Sequence, residues 1–180
     1  GADFFTTEVW TWQGLVTYYT VFVIDLASRR VQILGSTPQP EALFMQQIVQ
    51  TLTTAEAGVV SRPQVLICDR DRKWSHDVRR RLQDAGIRVV LIPERAPNAN
   101  AYAERFVRSI KDECLDRIIP IGEGHFRQVI TEFVEHYHRE RNHQGLDNRL
   151  IAGTPMNDRT GRVRCRRRLG GLLNFYERAA

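Results

Sequence analysis

The stretch "QVLICDRDRKWSHDVRRRLQDAGIRVVLIP", residues 64–93, limits the fold more than any other part of the chain. "QVLIC" is a short, nearly all-apolar run; "SHDVRRRLQDAG" has Ser75 to cap a helix start and Gly86 to end it; "IRVVLIP" is apolar again. Apolar strand, helix and apolar strand in succession imply parallel pairing in a covered sheet. Upstream, "ADFFTTEVW", "YYTVFVID" (18–25) and "RRVQILG" (29–35) are dense in aromatic and β-branched residues, which predicts a three-stranded antiparallel meander. Beyond the Thr-Pro-Gln-Pro break at 37–40, "EALFMQQIVQTLTTAEA" has helical spacing in Leu43, Ile48 and Leu52. Two more helices are expected, from about Asn100 to Asp116 and from about Glu123 to Arg141. The order β-β-β-α-β-α-β-α-α predicts an α/β sheet with helices packed on its faces.

With 180 residues and 42% apolar composition, the chain is long enough for one well-buried core. No run of 18 or more apolar residues occurs and the start has no signal-peptide pattern, so a soluble, intracellular protein with no membrane partner is expected. Cys68, Cys114 and Cys165 are odd in number and far apart, which supports neither a disulfide framework nor structural zinc. The net charge of +5 is unevenly spread: residues 1–60 hold two cations and five acids, and the remainder 24 cations and 16 acids. Only Lys73 and Lys111 are lysines. A guanidinium fork suits phosphate oxygens, so a polyanionic partner is one reading of this surplus, and plain compositional bias is the other.

Three acids occupy positions suited to chemistry. Asp3 lies on the first strand among apolar or small neighbours, Asp69 follows "VLIC" at the carboxyl end of a central strand, and Glu104 opens a helix. If the first and fourth strands are neighbours, Asp3 and Asp69 project toward one end of the sheet and the helix can bring Glu104 to them. Such a cluster repels itself and is relieved by a divalent cation. Oxygen-only ligands suit Mg²⁺ or Mn²⁺, and a two-ion carboxylate site suits in-line phosphoryl displacement. Asp71 is the rival second acid, with a solvated loop role as its alternative. Asp25 sits before a turn, where its oxygen satisfies local N–H groups.

In order along the chain, "DFFTTEVW", "FVIDLASRRV", "ICDRDRKWS", "LIPERAPNANAYAERFVRSIKDE" and "FVEHYHRERNHQGL" with Thr154-Pro155 resemble the catalytic core of retroviral-type integrases and IS3-like insertion-sequence transposases, the D,D,E recombinases. The resemblance spans roughly residues 3–155. It implies a ribonuclease H-like fold with a five-stranded mixed sheet, three strands antiparallel and then two parallel. It also implies Asp3, Asp69 and Glu104 as the catalytic, metal-binding triad, two Mg²⁺ or Mn²⁺ ions, and DNA end cleavage followed by strand transfer by a 3′-hydroxyl. Transposon ends and target DNA are the implied partners, with homo-oligomerisation and a bacterial cytoplasmic, nucleoid-associated location. Asp69 and Glu104 are separated by 34 residues, one fewer than the family's usual spacing, and Trp74 takes the family's aromatic position after Asp69. A nuclease of the same fold that only hydrolyses nucleic acid, or a non-catalytic DNA-binding or assembly module, are the alternative readings.

Around the glutamate helix, Arg108 lies roughly 40° and Lys111 roughly 20° from Glu104, on opposite sides. Arg108, Lys111, Arg105, Asn98 and Asn100 are the candidate DNA contacts, the two asparagines serving first as loop and cap residues and contacting DNA if their amides are exposed. Ala103, Phe106, Val107, Ile110 and Cys114 cluster on a neighbouring face for packing. His136, His138 and His143 have no cysteine or acid to complete a zinc set. Residues 1–155 are expected to form the core and residues 156–180 a basic C-terminal tail, read as a solvated segment, a phosphate-contacting arm or an assembly segment. A start at Asp3 leaves no room for an upstream helix-turn-helix, so a core separated from a longer transposase is expected.

Overall fold

A computed structural model of the chain describes residues 1–54, 64–93, 100–152 and 161–178. Its elements are β1 (Ala2–Thr11), β2 (Gly14–Ile24), β3 (Val31–Thr37), α1 (Ala42–Thr53), β4 (Val65–Cys68), α2 (His76–Asp84), β5 (Arg88–Leu91), α3 (Ala101–Glu113), α4 (Gly122–Arg139), β6 (Val163–Arg168) and β7 (Leu173–Arg178). The expected order of mixed α and β elements is present. Two compact units divide it: residues 1–8 with 15–108, and residues 9–14 with 109–180.

In the first unit, the meander order is β1-β2-β3, and β4 pairs with β5 in parallel, Leu66 opposite Val89 and Cys68 opposite Leu91. Among the described residues no ladder joins these into the expected five-stranded sheet. They meet instead through side chains: Ala2, Val21, Val23, Met45, Ile48, Leu66, Cys68, Val78, Leu82 and Ile87 form one buried cluster drawn from both sheets and from α1 and α2. Burial pushes the Cys68 thiol up to about 12, so it acts as a small apolar group. Gly35 on β3 allows α1 to lie close, because a Cβ there would come 3.0 Å from the Phe44 ring.

The α2 ends obey local rules. Ser75 Oγ accepts from Val78 N at 3.3 Å. At the other end Gly86, with φ of +85°, donates to Gln83 O at 2.8 Å and Ile87 donates to Leu82 O at 2.9 Å. That is the reciprocal carbonyl capping that glycine permits, closed by two buried apolar side chains.

The second unit is built on α4. Phe126, Val129, Ile130, Phe133 and Tyr137 recur at helical spacing and are all buried, which makes one continuous packing stripe. A segment expected to be a basic tail folds here as the β6–β7 hairpin, antiparallel from Val163 opposite Arg178 to Arg168 opposite Leu173. Leu173 is buried and Arg168 bonds to Glu140 just past α4. No helix among the described residues is long and apolar enough to cross a membrane.

Candidate active site

All three candidate triad residues fall in the first unit, each placed by a different element. Asp3 is the second residue of β1, and its Oδ1 accepts from the N–H of Phe4 at 2.7 Å. Burial, with the nearby charges of Asp69, Glu104 and Asp71, raises its carboxyl to about 6 despite that N–H. Asp69, Glu104 and Asp71 thus each act on Asp3 through space. Among the described residues, however, no group of three or more His, Cys, Asp or Glu is drawn together closely enough to hold a metal ion.

Asp69 directly follows β4, as the apolar run implied, and its Oδ1 accepts from Asp71 N at 3.2 Å. Burial raises its carboxyl, and Asp71 adds to that while the Asp71 N–H and Lys73 oppose it. Asp71 is in a different position. Burial pulls its carboxyl upward, but the hydrogen bonds from Lys73 outweigh burial and hold it below the ordinary range. Lys73 donates to it twice, from the backbone N at 2.8 Å and from Nζ. The loop is fixed by Trp74, 2% exposed, whose backbone N–H donates to Asp71 O at 3.0 Å and whose ring meets Phe4 edge-on at 5.7 Å.

Lys73 is the site residue that sequence reasoning missed. Its Nζ also lies 4.8 Å from the Phe4 ring centre and 5.5 Å from that of Tyr19, a cation held between two aromatic faces and a carboxylate. Its position four residues after Asp69, as one of only two lysines, was the available signal.

Glu104 sits exposed in the first turn of α3, where a helix N-terminus favours negative charge. Arg105 and Arg108 are also exposed, and among the described residues no side-chain hydrogen bond or ion pair joins Glu104 to Arg108. Lys111 follows along the same helix, in the second unit. The helix is seated in the first unit by Phe106, fully buried, with its ring 4.8 Å from that of Phe22 on β2.

Asn100 departs from expectation. It is 2% exposed and its Nδ2 donates to Ala2 O at 3.3 Å, so it braces the start of α3 against β1 beside Asp3 instead of facing solvent. Asn98 and Thr154-Pro155 lie outside the described residues. Arg29, at the turn before β3, stacks on Tyr102 of α3 at 3.4 Å from the ring centre, a second brace on the same helix end. Asp25 takes its expected turn role, its Oδ1 accepting from Ser28 N at 2.6 Å and Ser28 Oγ at 2.7 Å.

The histidines have protein partners. His136 Nδ1 lies 3.0 Å from Glu140 Oε2, and His143 Nε2 lies 2.8 Å from Tyr137 O. Arg141 forms a fork on Glu113 at the end of α3, with its shortest bond 2.7 Å.

Residues 85–150 match the family described as "Integrase core domain". No curated protein matches the sequence. Among solved structures, a chain in the cryoEM structure of a simian T-cell lymphotropic virus intasome, in complex with the PP2A regulatory subunit B56 gamma, aligns at 11% identity with a TM-score of 0.49. The alignment covers 97% of this chain and 65% of that one. Over the segment that includes Glu104, α3 and α4, the chain is similar to integrase core domains, the resemblance already carried by its ordered motifs.

Proposed function

We propose that the chain is the catalytic core of a metal-dependent DNA transposase or integrase, cleaving DNA ends and joining a 3′-hydroxyl to a target strand by in-line attack. The observation that carries this reading is Asp3: a carboxyl on the first strand, raised to about 6 by burial and by the charges of Asp69 and Glu104 from two other elements. A buried carboxyl that also feels the charge of other acids is a cost to the fold that cation ligands tolerate. The donor set, three oxygen-bearing side chains with no sulfur or nitrogen among them, fits a hard divalent ion such as Mg²⁺ or Mn²⁺.

In this proposal Asp3, Asp69 and Glu104 would hold the ions. When bound, such ions lower the pKa of an attacking hydroxyl and neutralise charge on the departing oxygen. Asp71 stays out of the set because Lys73 already occupies both of its oxygens. Arg105, Arg108 and Lys111 would orient phosphates along α3. The ribonuclease H-like sheet order, with β4 beside β1, belongs to the same proposal and is supported by the common core of Ala2, Leu66 and Cys68. DNA and further copies of the chain are the proposed partners.

The test is an oligonucleotide joining assay with Mg²⁺ or Mn²⁺ on a pre-cleaved end. Wild type and Asp71→Asn should join, whereas Asp3→Asn, Asp69→Asn and Glu104→Gln should not. Hydrolysis without joined product supports a nuclease, and unaltered activity in Glu104→Gln removes the triad.

A further inference from the structure

The β6–β7 hairpin has two unlike faces, set by its register. Arg168 opposite Leu173, Arg166 opposite Phe175 and Arg164 opposite Glu177 share one face; Arg167 opposite Asn174, Cys165 opposite Tyr176 and Val163 opposite Arg178 share the other. The first face is anchored. Leu173 is 5% exposed, Arg168 forks onto Glu140 at 2.9 and 2.7 Å, Arg166 approaches Glu140 at 3.6 Å and Glu177 at 3.4 Å, and Leu169 N donates to Glu132 Oε2 at 3.3 Å.

Every residue of the second face is exposed, and none is acidic. Among the described residues the Arg167 side chain has no hydrogen bond or ion pair, and that of Arg178 gives only Nη1, to Gly161 O at 3.0 Å. Between them stands Tyr176, 66% exposed. It is two residues from Arg178, roughly 7 Å along the strand, and diagonal to Arg167 across the ladder, a similar distance. A solvated surface needs charge, but it does not need an open aromatic ring between two guanidinium groups on a face held rigid from behind. Cations to follow a phosphate backbone and a ring to stack a base are the two parts of a single-strand binding platform.

We propose that this outward face is a second nucleic-acid site, apart from the carboxylates, on which Arg167 and Arg178 hold phosphates of a single DNA strand and Tyr176 stacks on an unpaired base. It rests on the proposed function only for the identity of the polyanion.

The experiment is fluorescence anisotropy with a labelled single-stranded oligonucleotide and its duplex, titrated with the full chain in EDTA over a range of salt. Tyr176→Ala should weaken single-strand binding about tenfold while leaving the salt slope unchanged, and Tyr176→Phe should bind as wild type. Arg167→Gln with Arg178→Gln should lower the single-strand salt slope by about 1.4, some 0.7 for each lost phosphate contact. Unchanged affinity and slope in these variants, with circular dichroism matching wild type, overturns the site. So does a Tyr176→Phe loss as large as that of Tyr176→Ala, or wild-type binding of an acidic peptide as tight as that of DNA. Loss of slope in the arginine pair when wild type shows no joining upholds this face and overturns the proposed function; a normal slope in a joining-competent chain does the reverse.

Discussion

Arg168 and Glu140 form a two-point fork, Nε to Oε2 at 2.9 Å and Nη2 to Oε1 at 2.7 Å, around a carboxylate only 2% exposed. His136 reaches the same carboxylate from one turn earlier. Burial alone would raise this carboxyl, but Arg168 and His136 bring it down to about 2. The acid is thus the fastening point of the C-terminal hairpin.

Glu140→Gln should destabilise the second unit by about 2–3 kcal/mol, below the range for fully buried pairs because Arg168 retains some water. Urea denaturation at pH 7 measures this. Arg168→Lys should recover only part of the stability, since a lysine makes no planar fork.

The same group sets an acid limb. A carboxyl whose folded value is depressed contributes stability that is present above its ordinary value of 4.5 and is lost as pH falls from there through about 2. Wild-type stability should therefore fall across that window, and the difference from Glu140→Gln should shrink in parallel. Denaturation midpoints at several pH values read it directly.

Asp3 acts with the opposite sign. Its folded value, raised from 3.8 to about 6, means that ionising it costs the folded state stability as pH rises through that interval. Asp3→Asn should raise stability by about 1–2 kcal/mol at pH 7 to 8, allowing for partial solvent screening, and change little near pH 3. Thermal melts at the two pH values test it, and Mn²⁺ should raise the melting temperature of wild type more than that of Asp3→Asn.

Asn100→Ala removes a buried amide bonded to Ala2 O. The expected cost is about 1–2 kcal/mol of stability. The salt dependence of DNA binding should be unaltered, which separates a brace from a phosphate contact.

Lys73→Met removes both the partner of Asp71 and a cation from the Phe4 and Tyr19 rings. The Asp71 carboxyl should then move upward from its depressed position. Carboxyl chemical shifts followed through a pH titration give the comparison with wild type.

The elements of both units up to α4 were legible because their signals are local. The density of aromatic and β-branched residues in β2 and β3, Ser75 and Gly86 at the ends of α2, and the stripe from Phe126 to Tyr137 each act within a few residues. The placing of Asp69 after an apolar strand and Glu104 at a helix start was legible for the same reason. "RVRCRRRLGGLLNFYER" was not, since a strand with arginine on both faces has no period of its own to read. It becomes a hairpin by bonding to Glu140, 28 residues before Arg168.

By itself, then, the sequence determined which segments up to α4 are strands and helices and the order in which the acids arrive, because propensity, capping and apolar period are properties of short windows. Only the tertiary structure decided which polar groups share a neighbourhood. It buried Asn100 against β1, gave Asp71 to Lys73 and left Asp69 less committed, set Asp3 in the field of Asp69 and Glu104, and turned a run of arginines into one anchored face and one open face. Burial and Coulomb energy depend on distance through space, which spacing along a chain does not fix.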